Sequence, residues 1–123
     1  MWAIQQRVAA FDADRFQSLG PGYVGLSLVG EAGELANTLK KVWRASVAIG
    51  RPDGYEALGD ADRRRIADEL ADVVILSLVL ANHLDLDIEE ALAQKLQVID
   101  HRLQQGYYQG EAKAPIDQGG ASG

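Results

Sequence analysis

Cysteine is absent from the 123 residues, so disulfides, thiolate zinc sites and cysteine nucleophiles are excluded together. Histidine occurs only as His83 and His101, and neither stands three residues after a glutamate. The Glu-x-x-His pairs of a di-iron bundle are therefore missing. Aromatics make up 7% of the chain against 47% hydrophobic residues in all, a balance that suits helices packed through aliphatic side chains. Positive charge is short as well: 12 Lys and Arg against 18 Asp and Glu give a formal charge of −6. No basic stripe is available to release counterions from a nucleic-acid polymer. The longest basic run, Arg63-Arg64-Arg65, is flanked by acids and reads as a solvated first turn of a helix. Long apolar runs are lacking too. The longest, residues 73–81 broken only by Ser77, is far too short to cross a membrane. Residues 1–7 lack the apolar core of a signal peptide. One soluble, cytoplasmic domain is expected, with neither membrane nor nucleic-acid polymer among its partners. No serine has an evident base partner, and the glycines of residues 20–33 lack the Gly-Lys-Ser/Thr of a phosphate loop.

What the chain does have is two acidic pairs, Glu31-Ala32-Gly33-Glu34 and Glu69-Leu70-Ala71-Asp72. Three-residue spacing puts both carboxylates of a pair on one helix face, a turn apart. Apolar residues surround each pair, and no Lys or Arg lies within four residues of Glu31 or three of Asp72. A carboxylate beside apolar surface is costly unless something positive neutralises it. Two such helices face to face would form an oxygen-rich nest for Mg²⁺, with Mn²⁺ as a substitute, suited to a polyphosphate ligand. The same pattern also fits surface salt bridging on two amphipathic helices.

The hydrophobic spacing predicts four helical segments in an all-α bundle. The first covers roughly residues 2–16, with Ile4, Val8 and Phe11 as its apolar face. Gly20-Pro21-Gly22 punctuates its end. The second runs from about Tyr23 to residue 48, with Val24, Leu28, Leu35, Leu39 and Val42 facing the core. Gly30 and Gly33 inside it allow close approach of a ligand or a neighbouring helix. After a glycine-containing loop over residues 49–59, Asp60 or Asp62 is expected to cap a third helix reaching His83. Its stretch of residues 70–80 is apolar nearly all round, which points to a second subunit covering part of it. Asp87 reads as the N-cap of a fourth helix, with Glu90 three residues on as in a capping box. That helix carries Ile88, Leu92, Leu96, Ile99 and Leu103. The expected division is a helical domain over residues 1–106 and a tail over 107–123.

The stretch Val29-Gly30-Glu31-Ala32-Gly33-Glu34-Leu35-Ala36-Asn37, followed by Lys40-Lys41, resembles the first signature of the MazG-like nucleoside triphosphate pyrophosphohydrolases. Asp68-Glu69-Leu70-Ala71-Asp72-Val73 resembles the second, and residues 86–102 resemble the last helix of that family. The resemblance implies a four-to-five-helix MazG-like bundle assembled as a dimer or dimer of dimers. It implies cleavage of a nucleoside triphosphate, ribo or deoxyribo, to the monophosphate and pyrophosphate. Glu31, Glu34, Glu69 and Asp72 then stand as Mg²⁺ ligands, and Lys95 and Arg102 match basic positions facing phosphates. The interval between the acidic motifs is longer here than is usual in the family. Many members also carry an Asn where this chain has Gln97 or Ile99.

On this reading Glu34 is favoured as the general base for a metal-bound water. Lys40, Lys41, Lys95 and Arg102 are candidates to stabilise charge on the departing pyrophosphate. Asn37, a turn beyond Glu34, is a candidate contact for sugar or metal-bound water, and Trp43 a candidate platform for the base. His83 is given no catalytic role. Two rival readings share the architecture: a phosphoribosyl-ATP pyrophosphohydrolase-like enzyme, and a helical interaction module without turnover.

Overall fold

A computed structural model describes residues 2–15, 20–50 and 58–106. They form α1 (Trp2–Arg15), α2 (Pro21–Ala48), α3 (Asp60–His83) and α4 (Ile88–Gln104). No strand occurs among the described residues, so the all-α expectation holds. Phe16, residues 51–57 of the glycine-containing loop, and the tail over residues 107–123 lie outside them.

The helix ends follow local chemistry, with two departures from expectation. Pro21 occupies the first position of α2, where its fixed φ fits and its missing N–H is no loss. The helix therefore starts two residues before Tyr23. At its far end Gly50 takes a left-handed φ of 80° and donates its N–H to the Val47 carbonyl at 3.0 Å. Neither Asp60 nor Asp62 caps α3. Gly59 is the N-cap and makes no side-chain bond, while both aspartates lie in the first turn, next to the positive end of the helix dipole. Asp87 does cap α4: its Oδ1 accepts the Glu90 N–H at 3.2 Å. The Glu90 carboxylate accepts from Gln94 Nε2 at 3.3 Å, one turn further on.

By contacts the chain divides between Leu86 and Asp87, with α1 to α3 in one unit and α4 in the other. In the first unit α3 is central, packed along α2 and against α1. Among the described residues its buried apolar side chains are Val24, Leu78, Val79 and Ala81, with Leu28, Leu35, Leu39 and Val42 half-buried on the expected face of α2. In the second unit, α4 has its expected apolar stripe but no buried residue.

The inner face of α1 is not the apolar one. Ile4 and Phe11 are exposed, whereas Gln5 and Asp12, seven residues apart, are buried. Their partners stand at the end of α3. Gln5 Nε2 donates to Asn82 Oδ1 at 3.0 Å and to the Leu86 carbonyl at 2.7 Å, and Asn82 Nδ2 returns a bond to the Gln5 carbonyl at 3.2 Å. His83 Nε2 lies 2.9 Å from Asp12 Oδ2. Polar groups with partners across the interface can occupy a helix face that apolar periodicity would assign elsewhere, although Asp12 Oδ1 is buried with no hydrogen-bond partner. His83 and Asp12 thus join the end of α3 to α1.

A Cβ built at Gly30 or Gly33 would meet no heavy atom within 4 Å among the described residues, so no helix packing seen there requires a glycine. Among the described residues no helix is long and apolar enough to cross a membrane.

Candidate metal and phosphate site

On α2 the residues Glu31, Glu34, Thr38, Lys41, Val42 and Ala45 recur at steps of three, four and one, which keeps them along one side. On α3, Asp62, Arg65, Glu69 and Asp72 do the same. The two stripes meet in antiparallel register. Glu31 feels the charge of Asp72, Thr38 bonds Glu69, and a cleft further along joins Lys41, Val42 and Ala45 to Arg65 and Asp62.

The acidic pairs predicted from sequence therefore face one another across α2 and α3. Glu31 is half-buried, and its pKa is raised above the usual 4.5. Partial desolvation leads, followed by the charge of Glu34, the charge of Asp72, a hydrogen bond with Glu34 and the charge of Glu69. All these effects push the same way, as expected where like charges crowd a patch of low polarity.

Glu69 is held more firmly than the others. Thr38, only 5% exposed, donates from Oγ1 to Glu69 Oε1 at 2.9 Å. Arg65 Nε approaches the same oxygen at 3.7 Å, with an Arg65 side chain 62% exposed. A hydrogen bond to a carboxylate contributes roughly 1.5–3 kcal/mol, an exposed i,i+4 ion pair about 0.3–0.5 kcal/mol. Thr38 is the stronger tether. The other oxygen, Oε2, is buried and has no hydrogen-bond partner. A buried carboxylate oxygen left unbonded is costly, and a cation is the partner its charge calls for.

The donors suit a hard divalent cation: carboxylate oxygens alone, from two helices, with one oxygen buried and unbonded. Among the described residues no three acidic or histidine side chains lie close enough to ligate one ion together. Glu34 and Asp72 are exposed.

The other predicted residues separate. Lys41 lines the cleft of about 170 Å³ beside Thr38 and Arg65, whereas the adjacent Lys40, a third of a turn round the helix, is exposed and does not line it. Asn37 is exposed on the turn after Glu34. Trp43 is nine residues from Glu34, two and a half turns, and so lies on the opposite side of α2. It is 44% exposed. Lys95 and Arg102 belong to α4, two turns apart on one face, and both are exposed.

Sequence reasoning passed over Thr38 and Arg65. Thr38 had a signal: it follows Glu34 by four residues and Glu31 by seven, a polar residue on the acidic stripe between Leu35 and Val42. Arg65 was read as part of a solvated run, and most of its side chain is indeed solvated.

The profile of the MazG-like family matches residues 34–109. The chain belongs to the MazG-like family. It is also 35% identical over 101 residues to the Gene 37 protein of Mycobacterium phage L5, an alignment covering 82% of this chain and 80% of that one. The MazG-like match takes in Glu34, Glu69, Asp72, Lys95 and Arg102, while Glu31 precedes it by three residues. The α2–α3 carboxylate patch is thus built partly from the MazG-like segment and partly from the turn before it.

Proposed function

We propose that this protein is a Mg²⁺-dependent nucleoside triphosphate pyrophosphohydrolase, converting an NTP or dNTP to the monophosphate and pyrophosphate. The observation that carries this reading is the coupling of Glu31 to Glu34, Asp72 and Glu69 across α2 and α3 in a MazG-like chain. A triphosphate and a protein of charge −6 repel each other, so substrate binding needs cations between them. Glu31, Glu34, Glu69 and Asp72 are the residues that hold them. Bound Mg²⁺ supplies charge neutralisation for the phosphates and acidifies a coordinated water.

The chain's own groups supply the rest. Glu34 is the base this reading assigns; beside it, the Glu31 pKa is raised by partial desolvation first and then by the charges of Glu34, Asp72 and Glu69. Lys41 and Arg65, together on the cleft beside Glu69, face the phosphates from the first unit. Lys95 and Arg102 are the basic candidates of α4.

Pyrophosphate release across NTPs, dNTPs and modified nucleotides, with Mg²⁺ and with EDTA, tests the reading. Release that needs Mg²⁺ and drops at least 100-fold in Glu69→Gln is the expected outcome, on the scale of about 10²–10³ for losing one electrostatic group at a reaction centre. Silence across the panel without Mg²⁺ binding would leave only the interaction module. Silence with Mg²⁺ binding would direct the search to phosphoribosyl-ATP.

A further inference from the structure

Thr38 is a hydroxyl where its neighbours on the core face of α2 are aliphatic. It is buried at 5% exposure, and its bond crosses from α2 to α3 rather than closing on its own helix. That second point is informative. A buried helical hydroxyl commonly bonds a carbonyl one turn back, as Ser77 does to Val73 at 2.8 Å. Thr38 instead spends its proton on one oxygen of one carboxylate. Thr38 bonds Oε1 of Glu69, which biases the carboxylate toward the orientation that leaves Oε2 buried and unbonded.

We propose that Thr38 is a positioning residue for the acidic site: it clamps Oε1 of Glu69 so that Oε2 alone is presented to a divalent cation. The proposal rests on the metal-site reading above and assigns a task to a residue outside the two acidic motifs. Thr38 itself touches neither cation nor substrate. Its effect passes through Glu69, as the partners that orient a metal ligand commonly do, where their loss weakens metal affinity by about 10–100-fold. The Arg65 guanidinium, mostly in solvent, cannot replace it, because a free-swinging exposed side chain does not fix a carboxylate plane.

The test is Mg²⁺ titration by calorimetry on the full chain, without nucleotide, alongside thermal unfolding in EDTA. Thr38→Val keeps the shape and removes the donor; Thr38→Ser keeps the donor. Expected are a loss of Mg²⁺ affinity of about tenfold or more in Thr38→Val and recovery to within about threefold of wild type in Thr38→Ser. Adding Thr38→Val to Glu69→Gln should weaken binding no further than Glu69→Gln alone, since the clamp acts only through that carboxylate. Should Thr38→Val fail to fold, Thr38→Ala, well suited to a helix interior, carries the same comparison. Unchanged Mg²⁺ affinity in the hydroxyl-free variant, with only a lower unfolding temperature, overturns the positioning role while leaving the metal site intact. A wild-type chain that binds no Mg²⁺ overturns both.

Discussion

At the scale of single residues, Glu31 ties protonation, metal and stability together. Its folded-state pKa lies above the ordinary 4.5, so the folded chain holds that proton more tightly than the unfolded chain. Below 4.5 both states are protonated and the full contribution is present. As pH rises from 4.5 through the raised folded value, the unfolded chain ionises first and stability is lost. In EDTA, thermal unfolding should therefore show wild type losing stability over that window and Glu31→Gln following a flatter course. At neutral pH Glu31→Gln should unfold at the higher temperature. Mg²⁺ should reverse the order: at 100 times the dissociation constant a ligand of the folded state adds about 2.7 kcal/mol, and Glu31→Gln should gain less than wild type. Parallel pH profiles for the two proteins would show that the carboxylates do not feel one another in solution.

At the scale of elements, most of the architecture was readable from local signals. Periodicity located the helices, glycine and proline marked their ends, and Asp87 with Glu90 announced the start of α4. The errors came where the deciding partner is remote in sequence. Gln5 and Asp12 look like the solvated side of α1 until Asn82, His83 and the Leu86 carbonyl, over seventy residues away, turn out to receive them. Thr38 likewise looks inert until α3 brings Glu69 opposite it. The acidic site was legible because its members are paired within one turn; its tether was not, because that bond spans 31 positions. The Asp87 cap is a purely local device and allows an equally local test. Asp87→Ala removes the acceptor of the Glu90 N–H and should destabilise α4 by about 1 kcal/mol, with Asp87→Ser restoring most of it. Amide exchange in the first turn of α4 is the measurement, and equal protection in Asp87→Ala and wild type would show that the cap is idle.

At the scale of the molecule, the first unit carries more uncovered apolar surface than three helices need leave open. Leu26 and Val29 are 75% and 70% exposed, one turn apart on α2 and well round the helix from Glu31. Leu70, Val74 and Ile75 are exposed on the stretch of α3 expected to be covered from two sides, and Phe11 and Ile4 border a cleft of about 360 Å³ with Ile75. Fully burying one such aliphatic side chain contributes about 1.5–3 kcal/mol. We propose a second copy of the chain as the cover, because symmetric pairing places the same patch against itself. Sedimentation at micromolar concentration should therefore give a dimer or a dimer of dimers for wild type. Leu26→Glu combined with Val29→Glu sets carboxylates on each facing patch and should shift the protein to monomer. Because neither residue shares the side of α2 that meets α3, the helix pair and its carboxylates should persist in the monomer, with Mg²⁺ binding per chain retained. A wild type that sediments as a monomer would mean that this apolar surface stands open, and that α2 and α3 hold the acidic site without help from a second subunit.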